Sequence, residues 1–414
     1  MSDSKPRRPG NIQRRTFLER SAKLGAGALA APVVFSNASQ ILGANDRIGM
    51  ALIGAGGRGR GVMAMHQAHG ADFRSVCDVY KPHLDNALKE AKGKAEPSSD
   101  YRQVLDQKNL DAVVIATPEH LHAPMLIDAV HAGKDVYCEK PMSHSIEEGV
   151  RMVREVRRSD RVVQIGMQRR SSSSLTRAKP WLKECGNVHM VKTYWNWDWS
   201  FPLDNSPLQA KVDWKAFLGP APWHEFEPQR FRYWRYFWDF SGGNCTDQGT
   251  HLMDVVQWFL GVGPPRAAVC FGENYESTGA ETPDVFSATF EYDGFVVNWS
   301  LCYTSSFENG WNIQFMGDLG TLVLHRGGAR LLAPPSGTKR YDRRYGSEVV
   351  KEINEEVDDA EHAQNFLECC RSREQPTANV DVGHAAVCGP HLANLALHHK
   401  TRARLNANAT KAYV

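Results

Sequence analysis

The apolar residues of the first half fall in short, nearly solid runs, whereas those of the second half tend to alternate with polar ones. Arg47 to Ile53, Phe73 to Cys77, Asp111 to Ala116, Asp135 to Cys138 and Arg161 to Ile165 each read as a strand buried on both faces. Helical stretches separate them, among them His122 to Ala132 and Ile146 to Arg158. This alternation predicts a doubly wound parallel sheet over residues 46–166. Beyond it, His189 to Trp197 alternates as a half-exposed strand does. Ala267 to Phe271, Val285 to Tyr292, Phe295 to Tyr303, Trp311 to Met316 and Thr321 to His325 read as further strands. Asp293-Gly294 between two of them is a hairpin signal. These runs predict an α/β domain over residues 167–385 with an open, largely antiparallel sheet and helices on one face. Helical stretches around Ala360 to Arg371 and Gly383 to Lys400 end the pattern, and residues 386–414 read as a C-terminal helix and tail. The fold class expected is α/β with two different sheets.

Residues 1–45 fit neither pattern. Arg14-Arg15-Thr16-Phe17-Leu18 is a paired arginine followed by apolar residues. A mild apolar run from Ala22 to Phe35 and the small residues Ser36-Asn37-Ala38 come next. The segment resembles a twin-arginine export signal, with a disordered basic tail as the alternative. Its apolar run is too short, and too interrupted by Lys23, for a stable membrane anchor. The expected location is periplasmic or otherwise extracytoplasmic.

The bulk numbers add exclusions. A chain of 414 residues has room for two domains after a leader, and 42% hydrophobic with 23% charged residues is ordinary for a globular enzyme. Lysine plus arginine is 49 against 47 acidic residues, a net charge of +2, which argues against a nucleic-acid partner. Nine scattered cysteines without zinc-type spacing point to no metal site.

Candidate chemistry begins directly after the first strand. Gly54-Ala55-Gly56-Gly57-Arg58-Gly59 places glycine at the three positions of a dinucleotide-binding turn. Gly54 permits the tight turn, Gly56 lets backbone approach a pyrophosphate, and Gly59 lets the next helix pack on the strand. Gly57 and Arg58 belong to the same loop, and the helix behind it aims its amides at phosphates. Asp78 ends the second strand, where a carboxylate accepts from ribose hydroxyls and repels the extra phosphate of NADP. NAD is therefore the expected cofactor, while Arg58 and Lys81 keep NADP open. Ligands in such sheets lie beyond the carboxyl ends of the strands. Thr117-Pro118, His122, Glu139-Lys140 and Arg169 fall on that edge.

In the second half, Asp247 and His251 are four apart on a predicted helix and share a face, with Asp254 on the same stripe. Such a pair suits proton transfer, the carboxylate orienting the imidazole. The alternative is a capping aspartate and a satisfied core histidine. Aromatics crowd the stretch from Trp195 to Phe240; such rings stack on sugar faces or serve as ordinary core or dimer-interface packing, and Trp197 is the one expected to touch substrate.

Together these residues resemble the glucose–fructose oxidoreductase and inositol dehydrogenase (Gfo/Idh/MocA) family, from about Arg47 to about Arg402. The glycine turn, Asp78, Thr117-Pro118 with His122, Glu139-Lys140-Pro141 and Asp247-x-x-x-His251 carry the resemblance. It implies a Rossmann domain, an open-sheet domain, and a homodimer or homotetramer. It implies that Lys140 contacts the substrate hydroxyl beside the nicotinamide, that Asp247 binds substrate and that His251 is the general acid/base. Arg169 and Trp197 are the further substrate contacts expected, and Thr117, Pro118, His122, Glu139 and Lys140 join the cofactor site. The expected activity is hydride transfer between a sugar or polyol and bound NAD. A redox-neutral, NAD-dependent glycosidase is the alternative, and a non-catalytic sensor a third reading. The leader, the aromatic insert and the serines Ser171 to Ser174 depart from the simplest members.

Overall fold

The protein is described by a computed structural model covering residues 47–91, 94–334 and 347–414. The paired arginines Arg14-Arg15 and the rest of the expected leader lie outside the described residues. The first sheet comprises β1 (Gly49–Ile53), β2 (Asp72–Cys77), β3 (Glu96–Ser98), β4 (Ala112–Ile115), β5 (Asp135–Cys138) and β6 (Val163–Ile165). Their order is β3-β2-β1-β4-β5-β6, and every neighbouring pair is parallel. Every residue of β1, β4, β5 and β6 is buried, because helices cover both faces. The order reverses between β1 and β4, which opens a crevice at their carboxyl ends.

The second sheet has ten strands: β7 (Val188–Asn196), β8 (Ala267–Glu273), β9 (Val285–Glu291), β10 (Val296–Cys302), β11 (Gly310–Gly317), β12 (Thr321–His325), β13 (Gly328–Ala333), β14 (Glu348–Asn354), β15 (Ala403–Leu405) and β16 (Ala412–Tyr413). Its order is β14-β13-β12-β11-β7-β10-β9-β8-β15-β16. β7 and β10 run parallel, and the other named pairs are antiparallel. Burial alternates along β9 and β10, as one covered face requires. Val297, Trp299 and Phe290 pack there against Leu252, Met253 and Val256 of the helix Gly243–Leu260, and against Leu392 and Ala393 of the helix Val380–His399.

The chain does not divide where its linear pattern suggests. The helix Ala360–Ser372 returns to the first sheet, where Phe366 and Leu367 share a core with Met50 and Leu52. Val380–His399 is one continuous helix, so the boundary expected at 385/386 falls inside it. A small third core forms from the insert, in which Trp214, Phe217, Phe231, Tyr236 and Phe240 pack with Tyr80. The amide of Asp213 donates to the carbonyl of Val79 at 3.0 Å, and Tyr80 bridges to Val212. The insert is thereby strapped to the chain just beyond β2. Most of its rings are packing, as the same-sized apolar faces of a core demand. No helix among the described residues is long and apolar enough to cross a membrane.

Candidate active site

The glycine turn joins β1 to the helix Gly57–Ala68. Gly54 has φ +90°, and a Cβ there would lie 2.7 Å from the backbone of Ala116. A Cβ on Gly59 would sit 2.0 Å from the carbonyl oxygen of Gly54, so helix and strand approach as closely as glycine allows. Gly56 caps the helix without a side-chain hydrogen bond, which leaves the first-turn amides for a ligand. Gly54, Gly56, Gly57, Asp78, Thr117 and Pro118 border a cleft of about 1110 Å³. Its opposite wall comes from the insert, including Phe217, Phe231 and Arg235. A dinucleotide fits this cradle: the turn offers bare backbone, and Asp78 ends β2 beside it. The Asp78 carboxylate accepts from the amides of Ala55 at 2.7 Å and Tyr80 at 2.8 Å, which fixes its position on the cleft wall.

The two basic residues that kept NADP open are engaged elsewhere. Arg58 donates from Nε to Glu139 Oε1 at 2.8 Å, and Lys81 pairs with Asp85 at 2.7 Å. Glu139 therefore ties the glycine turn to the end of β5, and both it and Arg58 brace the cleft from behind. His122 stands back from the cleft lining. It is buried, and its ring nitrogens lie 2.7 and 2.9 Å from the carbonyl oxygens of Pro141 and Thr117. It brackets the two loops that carry Thr117 and Lys140 and does not border the cleft.

The candidate reaction centre is assembled across the two sheets. Lys140 Nζ donates to Asp247 Oδ1 at 2.6 Å and to the Asp247 carbonyl at 2.8 Å. Arg235 Nε lies 3.4 Å from the other carboxylate oxygen. Burial by itself would raise the Asp247 carboxyl, but Lys140 and Arg235 outweigh it and hold the group below its ordinary range. His251 lies one turn on. Burial, reinforced by the charges of Lys140 and Arg169, holds its imidazole well below the ordinary value, so the ring is neutral. Neither ring nitrogen makes a hydrogen bond among the described residues, and Nδ1 is a buried orphan. The expected orienting contact from Asp247 is absent because Lys140 and Arg235 occupy that carboxylate. Asp254 faces Arg170 instead, at 2.6 Å.

Trp197 stands one layer back. It stacks on Tyr303, whose hydroxyl accepts from Gln248 Nε2 at 3.1 Å, and that amide also reaches Asp247 at 3.3 Å. Arg169 is buried between the rings of Trp195 and Trp311. Two important residues escaped the sequence reading. Arg235 belongs to the insert and has no spacing relation to Asp247. Glu119 is fully buried and accepts from Ser241 Oγ at 2.6 Å and the Gly242 amide at 3.0 Å, docking the first sheet's loop onto the start of the Gly243–Leu260 helix. Burial, helped by the Asp247 charge, pushes Glu119 up. Only its place after Thr117-Pro118 on a strand edge could have signalled it.

Comparison with known proteins agrees with this geometry. Residues 48–167 match a family described as "Oxidoreductase family, NAD-binding Rossmann fold", and residues 182–323 match "GFO/IDH/MocA C-terminal domain". A levoglucosan dehydrogenase of Pseudarthrobacter phenanthrenivorans is 28% identical over 191 residues, 45% of this chain and 43% of that protein. An alpha-N-acetylgalactosaminidase of Shewanella oneidensis is 28% identical over 162 residues, 33% of this chain and 35% of that protein. These alignments thus span less than half the length of either relative. A levoglucosan dehydrogenase solved with NADH and levoglucosan has the same fold, with a TM-score of 0.67 at 19% identity over 86% of this chain and 98% of that one.

Proposed function

Because the chain belongs to the Gfo/Idh/MocA oxidoreductase family, its two matched segments covering more than half of it, we propose an NAD-dependent enzyme that moves hydride between a sugar or polyol carbon and a tightly held cofactor. The observation that carries this reading is the Lys140–Asp247 contact, reached by an arginine that also borders the nucleotide cleft. When bound, NAD would accept or return the hydride. The chain's own groups handle proton and orientation. Neutral His251 is in the form that takes a hydroxyl proton. The Lys140 ammonium, fixed by two bonds to Asp247, polarises the substrate oxygen and stabilises charge developing on it. The insert closes one wall of the cleft, which favours a cofactor retained between turnovers. The levoglucosan dehydrogenase relative favours a carbohydrate substrate.

Similarity to an alpha-N-acetylgalactosaminidase supports a second reading. In a redox-neutral glycosidase, hydride leaves one ring carbon, the acidified neighbour loses a proton and the aglycone departs, water adds, and the hydride returns. We extend the proposal to location and assembly: the Arg14-Arg15 leader directs export, and the open face of the ten-stranded sheet joins subunits into a homodimer or homotetramer.

The test is mass spectrometry of cofactor released by denaturing purified protein, with a sugar panel followed for NADH and product. Stoichiometric NAD and an oxidised sugar are expected. Cleavage of an aryl glycoside with no net NADH selects the second reading. Protein that binds no dinucleotide and turns over no sugar overturns both.

A further inference from the structure

The charges around the reaction centre do not balance. Five cations converge there: Arg58, Lys140, Arg169, Arg170 and Arg235. Four have an acidic partner: Arg58 faces Glu139 with Asp359 4.0 Å away, Arg170 faces Asp254, and Lys140 and Arg235 share Asp247, so four acids stand against five cations. Arg169 has none. Among the described residues its side chain makes no hydrogen bond and no ion pair, although it is 6% exposed and its Nη1 is fully enclosed without an acceptor. Asp359 and Asp254 act on its charge only through space, each committed to another donor. Asp254 accepts from Arg170 at 2.6 Å, and Asp359 accepts from Gln168 Nε2 at 3.3 Å and lies 4.0 Å from Arg58.

Position makes this imbalance informative. Arg169 follows β6 at the carboxyl edge of the first sheet, in the turn Gln168–Ser171. Its guanidinium carbon lies 4.0 Å from the ring centre of Trp311 and 5.0 Å from that of Trp195, both on the second sheet. Its charge is felt at His251. Indole faces stabilise a cation but accept no in-plane hydrogen bond, so the edge of the guanidinium is left to pair with something else. A buried charge without a counter-ion is costly, and folds keep one where a ligand supplies the missing charge. A flat fork of N–H donors matches a carboxylate, whose two oxygens it can hold at once. A single unmatched cation suits one negative charge better than the two of a phosphate monoester.

We propose that the substrate is an acidic sugar, a uronate or aldonate, whose carboxylate pairs with Arg169 while its reacting hydroxyl faces Lys140 and His251. This rests on the sugar-oxidoreductase reading of the same site. It explains why a neutral sugar would leave the guanidinium buried and unpaired, and it gives the insert's Arg235 a second role in drawing anions to the mouth of the cleft.

The test uses the full holoenzyme and reads binding first, then hydride transfer with the same ligands. Calorimetric binding of D-glucuronate, D-galacturonate, D-gluconate, the parent neutral sugars, the glucuronamide and glucose 6-phosphate is compared. At least one carboxylate ligand should bind about 100-fold more tightly than its neutral parent and its amide. Arg169→Met should remove that preference, and Arg169→Lys should restore part of it, with bound NAD retained in both. Neutral sugars binding as tightly as their acids, a preference for the phosphate, or loss of NAD in Arg169→Met overturns the proposal. Carboxylate-selective binding without any hydride transfer supports the acidic ligand and overturns the oxidoreductase reading. Oxidation of neutral sugars alone does the reverse.

Discussion

The nucleotide end of the cleft and the reaction centre are made of different materials. The first is backbone: bare glycine, open helix amides, and Asp78 fixed by two amides of its own neighbourhood. The second is side-chain charge gathered from distant parts of the chain, with Lys140 and Asp247 separated by 107 positions. A backbone cradle is vulnerable to an atom added, because there is no room for it. A charge cluster is vulnerable to an atom removed, because each remaining charge loses its partner in a place water cannot reach. The two ends should therefore fail in different ways.

The largest effect is expected at the charge cluster. Lys140→Met strips Asp247 of its shorter ion pair and removes the group proposed to polarise the substrate oxygen. The expected loss in kcat/KM for the sugar is about 10³-fold or more, with bound NAD unchanged. A loss under tenfold, measured by steady-state kinetics, would move the reaction centre elsewhere. At the other end, Gly59→Ala puts a methyl group 2.0 Å from the Gly54 carbonyl. The turn must open, and the NAD content of purified protein should fall about tenfold or more, since roughly 1.4 kcal/mol of strain is enough for that. Full NAD retention would show that the turn is not the cradle.

The smallest effect separates the scaffold from both ends. His66, His120, His362 and His391 are held down to about 4 by burial, from 6.5 when unfolded. A depressed histidine favours the fold above its unfolded value. As pH falls from 6.5 towards 4 the unfolded chain takes up protons that the folded chain refuses, so stability declines across that window. Thermal unfolding between pH 7 and pH 4.5 should show a falling midpoint. A flat profile would mean that these rings are not buried neutral in solution.

Legibility in the sequence follows the same division. β1, β4 and β5 could be read because a strand buried on both faces has to be a solid apolar run, and the glycine turn because its constraints lie within a few residues. β3, Glu96–Ser98, is short, contains proline and sits at the edge, so it carried no apolar signal. Lys140, Asp247 and His251 stood out by spacing and by resemblance. Their actual partners did not, and the expected Asp247–His251 contact gave way to Lys140 and Arg235.

By itself the amino-acid order determined two kinds of sheet and a dinucleotide turn, since each depends on periodicity or on residues close together in the chain, and it singled out Lys140, Asp247 and His251 as candidates through a family resemblance. Tertiary structure alone decided that Arg235 meets Asp247, that Glu119 docks one half onto the other, that His122 braces two loops, and that Arg169 is left without a hydrogen-bonded acid among the described residues. Those outcomes depend on which side chains arrive in the same dry volume from opposite ends of the fold, and no local pattern encodes that meeting.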